Sequence, residues 1–466
     1  MNAYATFLDA KRHLGDADGF TPVWLPDFLY GFQTELVDWA VRQGRAAIFA
    51  DCGLGKTPQQ LVWAENVRRH ANRPVLIVTP LAVSYQTEIE AAKFGIESSI
   101  SRTGQPAPHI TITNYDRLHH FNPSDFAGTV CDESSAIKAF DGRRRALVTD
   151  FMRKQRYRLL CTATAAPNDY IELGTSSEAL GHLGYMDVLN RFFVNAEKNS
   201  SIRGRHQGLK ARNGTRAWDT ARWRFKGHAE EPFWRWVASW ARALRKPSDL
   251  GHDDNGFALP ALEHHQHIVT ADTPIDGQLF DMPARGLREE REELRHTLEQ
   301  RCEKAAEIID GAQHAIAWCH LNAESDRLRR LITGAVEVRG SDSPEVKEEI
   351  LAAFGRGEIR VLVTKPSVAG WGLNWQHCHQ MTFFPSHSYE QYYQAVRRCW
   401  RFGQQHPVRV DIITTPGGSA ALANLKRKAA AADRMFDQLT AHMRDALHIA
   451  ADVDYPLEAE VPAWAA

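Results

Sequence analysis

Residues 50–57, with the sequence ADCGLGKT, have the residue types that bind phosphate groups. Gly53 and Gly55 allow backbone N–H groups to turn inward around phosphate oxygens, and a helix starting just afterwards adds a favourable dipole for an anion. Lys56 is expected to contact the β- and γ-phosphates, and the Thr57 hydroxyl to bind Mg²⁺. Ala50 stands where the complete pattern has glycine. The segment predicts binding of a nucleoside triphosphate; a plain glycine-rich turn between strand and helix is the alternative.

Two adjacent carboxylates, Asp132 and Glu133, follow the apolar residues 128–131. A strand that ends there places a metal ligand and a general base side by side at its carboxyl end, beside the phosphate loop. Asp132 is therefore predicted to bind Mg²⁺ together with Thr57, and Glu133 to orient and deprotonate the attacking water. Acidic pairs are common on protein surfaces, so the pair alone is weak evidence for a metal site. Its position after an apolar strand and downstream of a phosphate loop is what supports this prediction.

A third group lies in residues 394–404, with the sequence QAVRRCWRFGQ. Negative charge spreads over the γ-phosphoryl oxygens during transfer, and guanidinium groups from a second domain stabilise it when the cleft closes. Arg398 and Arg401 are three residues apart and are predicted to share one face of a helix as catalytic residues. Arg397 is predicted to point elsewhere, as an ordinary salt-bridging residue. Taken alone, such a segment would more often be a solvated basic face.

The elements that must position these groups are predicted to alternate between strands and helices. Short apolar runs alternate with helix-compatible segments, the runs being residues 46–49, 75–78, 110–113, 128–131, 158–161, 315–318, 335–338, 360–363, 380–384 and 408–413. This alternation predicts parallel sheets covered by helices. A chain of 466 residues is also too long for one core. The sequence therefore predicts an α/β fold with two domains.

Composition excludes several classes of protein. The formal net charge is −1, so the chain is not globally basic. Its seven cysteines form no C-x-x-C pair, which argues against a zinc ribbon or a disulfide framework and favours a reducing cytoplasm. We find no segment like a signal peptide and no apolar run long enough to cross a membrane. The histidines at 119–120, 264–267 and 377–379 are predicted to lie in loops or strand edges rather than to bind a metal.

Residues 191–246 are basic and rich in tryptophan. They contain 14 lysine and arginine residues against 4 acidic residues, a local net charge of +10, and five of the thirteen tryptophans. Arginines such as Arg222 and Arg224 are expected to contact nucleic-acid phosphates, with the tryptophans mainly structural. The alternative is a small helical subdomain whose core is formed by Trp234, Trp236 and Trp240.

These motifs resemble those of helicase superfamily two, with its DEAD/DEAH-type acidic box, and most closely the Swi/Snf-type translocases and their bacteriophage relatives. Residues 132–138 (DESSAIK) resemble the acidic box, and residues 394–404 are similar to the family's Q-A-x-x-R-x-x-R-x-G-Q motif. Further similar segments follow the family's order, at residues 29–33, 75–86, 113–116, 161–168 and 367–374. The resemblance covers roughly residues 25–180 and 310–415, and it implies two RecA-like phosphate-loop domains with parallel sheets and a basic helical insert between them.

The resemblance also implies roles for further residues. Gln33 would read the adenine base of ATP. Nucleic acid would be bound by Thr79, Asn114, Tyr115, Gly370, Gly372 and Asn374. Hydrolysis would be coupled to movement by Thr162, Thr164, Gln394 and Gln404. The chain departs from the family at Ala163 and Ala165, where glycine and proline are usual, and at Trp371, where a smaller residue is usual.

We therefore predict an ATP-dependent DNA helicase or duplex DNA translocase that uses ATP and Mg²⁺. We expect its core to be monomeric and the protein to lie in the cytoplasm, which would be the cytoplasm of a bacterial host if the protein is encoded by a phage. Its expected partners are duplex or single-stranded DNA and replication or nuclease proteins, and no membrane. An RNA helicase of the same superfamily and an ATP-switched DNA-binding scaffold without strand separation are the alternatives. The predicted divisions of the chain are an N-terminal extension (residues 1–24), an ATP-binding domain (25–185), the basic insert (186–260), a helical linker (261–309), a C-terminal RecA-like domain (310–440) and an acidic tail (441–466).

Overall fold

The computed structural model of the protein describes residues 18–138, 142–195, 223–270, 287–369 and 374–451. In these residues it contains two parallel sheets covered by helices and one two-stranded antiparallel pair. The predicted α/β fold class with two parallel-sheet domains is confirmed. Arg222, Gly370 and Gly372 lie outside the described residues, as do most of the predicted N-terminal extension and the end of the acidic tail.

Seven parallel strands form the first sheet: β1 (Arg45–Ala50), β2 (Val75–Thr79), β3 (Ser98–Ile100), β4 (Ile110–Asn114), β5 (Gly128–Asp132), β6 (Tyr157–Cys161) and β9 (Ala241–Leu244). Their order across the sheet is β3-β4-β2-β5-β6-β1-β9. Every residue of β2, β4, β5, β6 and β9 is buried, because helices cover both faces of a parallel sheet. The carboxyl ends of β5, β6 and β1 therefore lie side by side.

Helices on both faces complete the first domain: α1 (Gly31–Gln43), α2 (Lys56–Ala71), α3 (Ser84–Lys93), α4 (Arg143–Arg153), α5 (Leu173–Leu180), α6 (Tyr185–Phe192) and α7 (Glu230–Trp240). Alternate strand residues face opposite sides of the sheet, so β1 contributes Ala47 and Phe49 to one apolar core and Ala46 and Ile48 to the other. Strands β7 (Phe193–Asn195) and β8 (Trp223–Phe225) form the antiparallel pair beside the first of these cores.

The second sheet has six parallel strands: β10 (Leu262–Ile268), β11 (Ala315–Trp318), β12 (Ala335–Val338), β13 (Val361–Thr364), β14 (Gln380–Phe383) and β15 (Val408–Thr414). Their order is β10-β15-β14-β11-β13-β12. The accompanying helices are α8 (Leu287–His296), α9 (Leu298–Ile309), α10 (Asn322–Leu331), α11 (Pro344–Gly355), α12 (Pro366–Ala369), α13 (Tyr389–Val396) and α14 (Ser419–Ala451). Helix α13 carries the start of the arginine motif.

The structure divides the middle of the chain differently from the prediction. Helix α7, which lies in the predicted basic insert, packs Phe233, Trp234 and Trp240 into the first domain's core, and β9 becomes the seventh strand of its sheet. Trp234 and Trp240 are thus structural, and the described part of the insert is not a separate subdomain. Strand β10, in the predicted helical linker, instead pairs with β15 at the edge of the second sheet. His264, His265 and His267 lie on this edge strand, as predicted for strand-edge histidines.

Helix α14 connects the two domains. Leu422 and Leu425, near its beginning, belong to the core of the second domain. Further along, Met435, Leu439 and Met443 are buried in the core of the first domain. The helix spans 33 residues, so it crosses the predicted boundary at residue 440 without a break. One continuous element therefore contributes to both cores.

Two negative findings apply to the described residues. None of the helices in them combines the length and apolar character needed to cross a membrane. Nor do their histidine, cysteine and carboxylate side chains form a group of three or more that could hold a metal ion.

Candidate nucleotide site

The phosphate-loop segment connects β1 to α2 at residues 51–55. Gly53 and Gly55 have φ angles of 90° and 70°, in the region that favours glycine. A Cβ atom at Gly55 would lie 2.3 Å from Gln33 Nε2, and one at Gly53 would lie 2.8 Å from Cβ of Phe402 in the second domain. Position 53 therefore requires glycine for close approach as well as for backbone conformation, and position 55 requires it mainly for backbone conformation. The 16-residue helix α2 begins at Lys56 and directs its N-terminus toward this loop.

Two predicted nucleotide-binding side chains contact the loop itself. Lys56 Nζ donates to the carbonyl oxygen of Ala50 at 3.0 Å. Gln33 Nε2 donates to the carbonyl oxygen of Leu54 at 3.0 Å, and Gln33 Oε1 accepts from the backbone N–H of Tyr30. An amide side chain keeps a second N–H and a second lone pair, so these contacts are compatible with a further contact to adenine. The role of Gln33 in reading the base stays a prediction.

The acidic pair ends β5 as predicted, and α2 contacts it. Gln60 Nε2, one turn after Thr57, donates to Asp132 Oδ1 at 2.6 Å. Burial, together with the neighbouring charge of Glu133, raises the pKa of Asp132 to about 6. A divalent cation would favour the ionised form of this carboxyl. The Asp132 carboxylate and the Thr57 hydroxyl supply oxygen atoms, the ligands that Mg²⁺ prefers, so the residues fit a magnesium site.

Glu133 adopts a conformation that is unusual for a residue with a side chain. Its φ angle is 49°, in the left-handed region, where such strain clusters at functional sites. Glu133 Oε2 accepts a hydrogen bond from Thr162 Oγ1 at 3.1 Å. Thr162 Oγ1 in turn accepts from the backbone N–H of Thr164 at 3.1 Å. The predicted base is thus linked to the two predicted coupling threonines, which follow the adjacent strand β6.

The arginine motif differs from the predicted single helix. Helix α13 ends at Val396, and Arg397 forms its C-cap with φ −71° and ψ −1°. Arg398 and Arg401 follow in successive turns, so the prediction that they share a helical face is wrong. The Arg398 carbonyl oxygen accepts from the N–H of Trp375 at 2.9 Å, a contact made outside the helix. The N–H groups of Arg398, Cys399 and Trp400 still bond to carbonyl oxygens three or four residues earlier, so the chain leaves the helix through tight turns that also contact a neighbouring segment.

Arg398 is buried and Arg401 is partly buried, although both come from the second domain. Burial lowers the pKa of Arg398, and the charge of Glu133 opposes this effect. Burial, followed by repulsion from Arg398, lowers the pKa of Arg401 to about 10. Arg398 Nη2 donates to Gln394 Oε1 at 2.9 Å, which fixes one edge of the guanidinium. The structure thus brings this guanidinium into electrostatic range of the predicted base.

Arg397 contributes a contact that the sequence did not predict. Its Nη2 donates to Asp51 Oδ2 of the phosphate loop, across the two domains. Arg397 is indeed a salt-bridging residue, but its partner belongs to the candidate site. Two other groups near the site, Gln60 and the ion pair between Lys138 and Glu390, were also missed as functional candidates. Lys138 was within the acidic motif, whereas its distant partner had no sequence signal.

The residues predicted to contact nucleic acid differ from one another in their exposure to solvent. Tyr115 is 4% exposed and its hydroxyl donates to the Asp132 carbonyl oxygen at 2.6 Å, so its side chain supports the acidic pair instead of forming a surface. Thr79 is fully buried and its hydroxyl lies 2.8 Å from that of Ser84. Asn114 caps the turn that follows it by accepting from two backbone N–H groups. Asn374 and Arg224 are exposed.

Gln404, predicted as a coupling residue, is held within the second domain. Its Nε2 donates to the carbonyl oxygens of Cys378 and Cys399 at 3.0 and 3.2 Å, and its Oε1 accepts from the N–H of His406. These bonds use both ends of the amide to fix the loop after the arginines. The side chain therefore acts on local structure, in contrast to Gln394, which contacts Arg398 directly.

Residues 300–403 match the helicase conserved C-terminal domain family. This stretch begins in α9 and includes Gln394, Arg398 and Arg401. The chain is also similar to the solved structure of a Sulfolobus solfataricus SWI2/SNF2 ATPase core in complex with dsDNA, with 15% sequence identity and a TM-score of 0.40 over 93% of this chain and 97% of that one. No curated protein matches the sequence. The family match lies in the second domain and covers 104 of the 466 residues.

Proposed function

We propose that the protein is a nucleic-acid-stimulated ATPase that couples hydrolysis to movement along DNA. The observation that carries the proposal is the contact between the phosphate loop of the first domain and the arginine segment of the second. Arg397 binds Asp51, and Phe402 packs on Gly53. Since the two halves lie in different domains, a reaction that needs both halves depends on domain closure.

The roles of the first-domain residues follow from their positions. Lys56 and the N-terminus of α2 would hold the phosphates of ATP. Thr57 and Asp132 would hold Mg²⁺, which supplies Lewis-acid stabilisation of the phosphoryl oxygens. Gln60 orients Asp132 through its 2.6 Å hydrogen bond. The site would therefore hold the two proposed metal ligands, one from α2 and one from β5, close together.

Hydrolysis would proceed by attack of water on the γ-phosphorus, with cleavage of the bond to the bridging oxygen of ADP. Glu133 would accept the proton of the attacking water, and its hydrogen bond from Thr162 at 3.1 Å holds the carboxylate in one orientation. Arg398 and Arg401 would stabilise charge on the transferred group. The products are ADP and inorganic phosphate, and the charge that attracts the arginines decreases when phosphate leaves. The domains would then separate.

The test is an ATPase assay of the full chain with duplex DNA, single-stranded DNA and RNA, paired with a strand-displacement assay. We expect turnover stimulated by DNA and lost in Lys56→Ala and Glu133→Gln, with Glu133→Gln still binding ATP. Lys154→Ala, which removes an exposed lysine at the end of α4, is the matched control and should keep activity. Full turnover in either site variant would refute the proposal.

The same assays separate the alternatives. Stimulation by RNA and not by DNA would identify an RNA helicase of the same superfamily. Binding of DNA in response to ATP with no turnover would identify a switched scaffold. The link between Thr162 and Glu133 favours turnover, because a pure switch gains nothing from an oriented water-activating base.

A further inference from the structure

Asp51 occupies a junction between the domains. Its backbone N–H donates to the Leu244 carbonyl oxygen at 3.0 Å, and its Oδ1 accepts from the N–H of Cys52 at 2.7 Å, so the carboxylate is fixed on the first-domain side. From the second domain, the Tyr393 hydroxyl donates to Oδ1 and Arg397 Nη2 donates to Oδ2. The carboxylate is therefore shared between the phosphate loop and α13.

Arg397 is equally constrained on its own side. Its guanidinium carbon lies 4.2 Å from the ring centroid of Trp400 and 5.3 Å from that of Tyr393, and Nη1 donates to the Trp400 carbonyl oxygen. The side chains of Arg397 and Asp51 are only 6% and 7% exposed. Burial lowers the pKa of Arg397, but Asp51, Tyr393 and the neighbouring groups together outweigh burial, so the pKa is raised. The pair is a buried ion pair with a fixed geometry.

The other end of α13 is also tied to the first domain. Glu390, in the first turn of α13, forms an ion pair with Lys138, which follows the acidic pair in the chain. The helix is thus attached near its start to the loop after β5 and at its C-cap to the loop after β1. These are the two loops that carry the predicted metal ligand, base and phosphate contacts. The position of α13 depends on both loops.

We propose that Asp51, Tyr393 and Arg397 form a closure interlock that positions Arg398 and Arg401 against the phosphate loop. The inference deepens the proposed function and rests on it. Arg397 acts through its neighbours: by binding Asp51 it fixes the C-terminal end of α13, and the turn that begins there carries Arg398 toward Glu133. Removing one partner leaves a buried charge without its counterion, which disfavours the closed arrangement strongly.

The interlock also borders a cavity. A space of about 750 Å³ between the domains is lined in part by Asp51, Thr164, Tyr389, Arg397 and Trp400. The second domain therefore contacts the phosphate loop through a few specific groups here instead of through continuous packing. The ion pair therefore borders open space on this side, and we expect a single substitution to change domain closure measurably.

The decisive variants are Asp51→Asn, Arg397→Gln and their combination. Asparagine keeps an oxygen for the N–H of Cys52, so the phosphate loop retains that contact. We expect each single variant to lower kcat for DNA-stimulated hydrolysis by at least about ten-fold while the Kd of a fluorescent ATP analogue changes less than about three-fold. The double variant should be no slower than the slower single variant. Arg356→Gln, which removes an exposed arginine of the second domain, is the control and should match the wild type.

A second readout does not depend on catalysis. Small-angle X-ray scattering of the full chain with the ATP analogue and DNA should give a larger radius of gyration for Asp51→Asn than for the wild type. Unchanged kcat and unchanged scattering in Asp51→Asn would overturn the interlock, as would strictly additive effects in the double variant. If Asp51→Asn fails to fold, Arg397→Lys serves instead, because lysine keeps the charge but loses the forked contact and the stacking. Absence of turnover in the wild type would refute the proposed function, with the scattering comparison still testing the interlock.

Discussion

Replacing Thr162 by valine should separate the orientation of the predicted base from nucleotide binding. Thr162 is 1% exposed and donates its hydroxyl hydrogen to Glu133 Oε2 at 3.1 Å. Valine has nearly the same shape and removes only the hydroxyl. Glu133 then keeps its charge and its place at the end of β5, but its carboxylate loses the hydrogen bond that fixes its orientation. No predicted contact to the phosphates or the metal is altered.

The expected size of the effect follows from the type of bond. A hydrogen bond to a charged group contributes about 1.5–3 kcal/mol, which corresponds to a loss of about 10- to 150-fold in kcat if all of it is lost in the transition state. KM for ATP should change little, because Lys56 and the phosphate loop are intact. The N–H of Thr164 also loses its acceptor, so we expect the free energy of unfolding to fall by about 1–3 kcal/mol.

The assay is steady-state ATP hydrolysis with saturating DNA, measured well below the melting temperature, together with urea unfolding. Thr149→Val is the matched control: Thr149 is also buried, but its hydroxyl has no hydrogen-bond partner among the described residues. It should keep wild-type kcat. A wild-type kcat in Thr162→Val would show that this hydrogen bond does not orient the base, and a rise in KM without loss of kcat would place Thr162 in nucleotide binding instead.

Two further predictions concern the first domain. Trp234→Ala should lower the free energy of unfolding by about 3–5 kcal/mol in urea, because Trp234 is fully buried between helix and sheet; weaker DNA binding with unchanged stability would contradict its structural role. Burial lowers the pKa of His182 to about 4, although a hydrogen bond to the backbone of Arg45 opposes this shift. Between pH 6.5 and 4 the unfolded chain therefore binds a proton that the folded chain does not. Stability should therefore fall with decreasing pH in this window, by at most about 1.4 kcal/mol per pH unit from this group. In His182→Leu the fall should be shallower, and identical pH profiles would exclude His182 as its source.

Strands that are buried on both faces were predicted well from the sequence. The predicted run 315–318 coincides with β11, and β2 and β4 extend only one residue beyond theirs. Helices cover both faces of such strands, so their sequences are continuous apolar runs bounded by turn residues. The periodicity itself therefore carried the information.

Two strands lacked that signal for physical reasons. Strand β10, with the sequence LEHHQHI, lies at the edge of its sheet, where polar residues are tolerated and no apolar run is required. Strand β9, with the sequence ARAL, has no β-branched or aromatic residue and continues directly from α7. Its place in the first sheet depends on pairing with β1, a contact far away in the chain.

The same distinction explains the candidate site. The phosphate loop and the acidic pair are local motifs that residue types and spacing predicted, and the threonines after β6 were predicted from the family resemblance. Arg397 could not be assigned from local sequence, since its meaning depends on Asp51, 346 residues earlier. Tyr115 was assigned to nucleic-acid binding from the family resemblance, but its hydroxyl donates to the carbonyl oxygen of Asp132 in the acidic pair. Long-range partners decide such roles, and a sequence pattern alone does not contain them.

The loop after β6 gives the proposed coupling a short physical route. At its start, Thr162 contacts Glu133, the predicted base. A few residues later, Asn168 Oδ1 accepts from Lys428 Nζ of α14 at 2.8 Å, and Lys428 also donates to the His387 carbonyl oxygen at the approach to α13. One loop therefore contacts both the predicted base and the second domain. A change at the base would reach α13 and α14 through directly bonded neighbours, so coupling requires no distributed pathway across the protein.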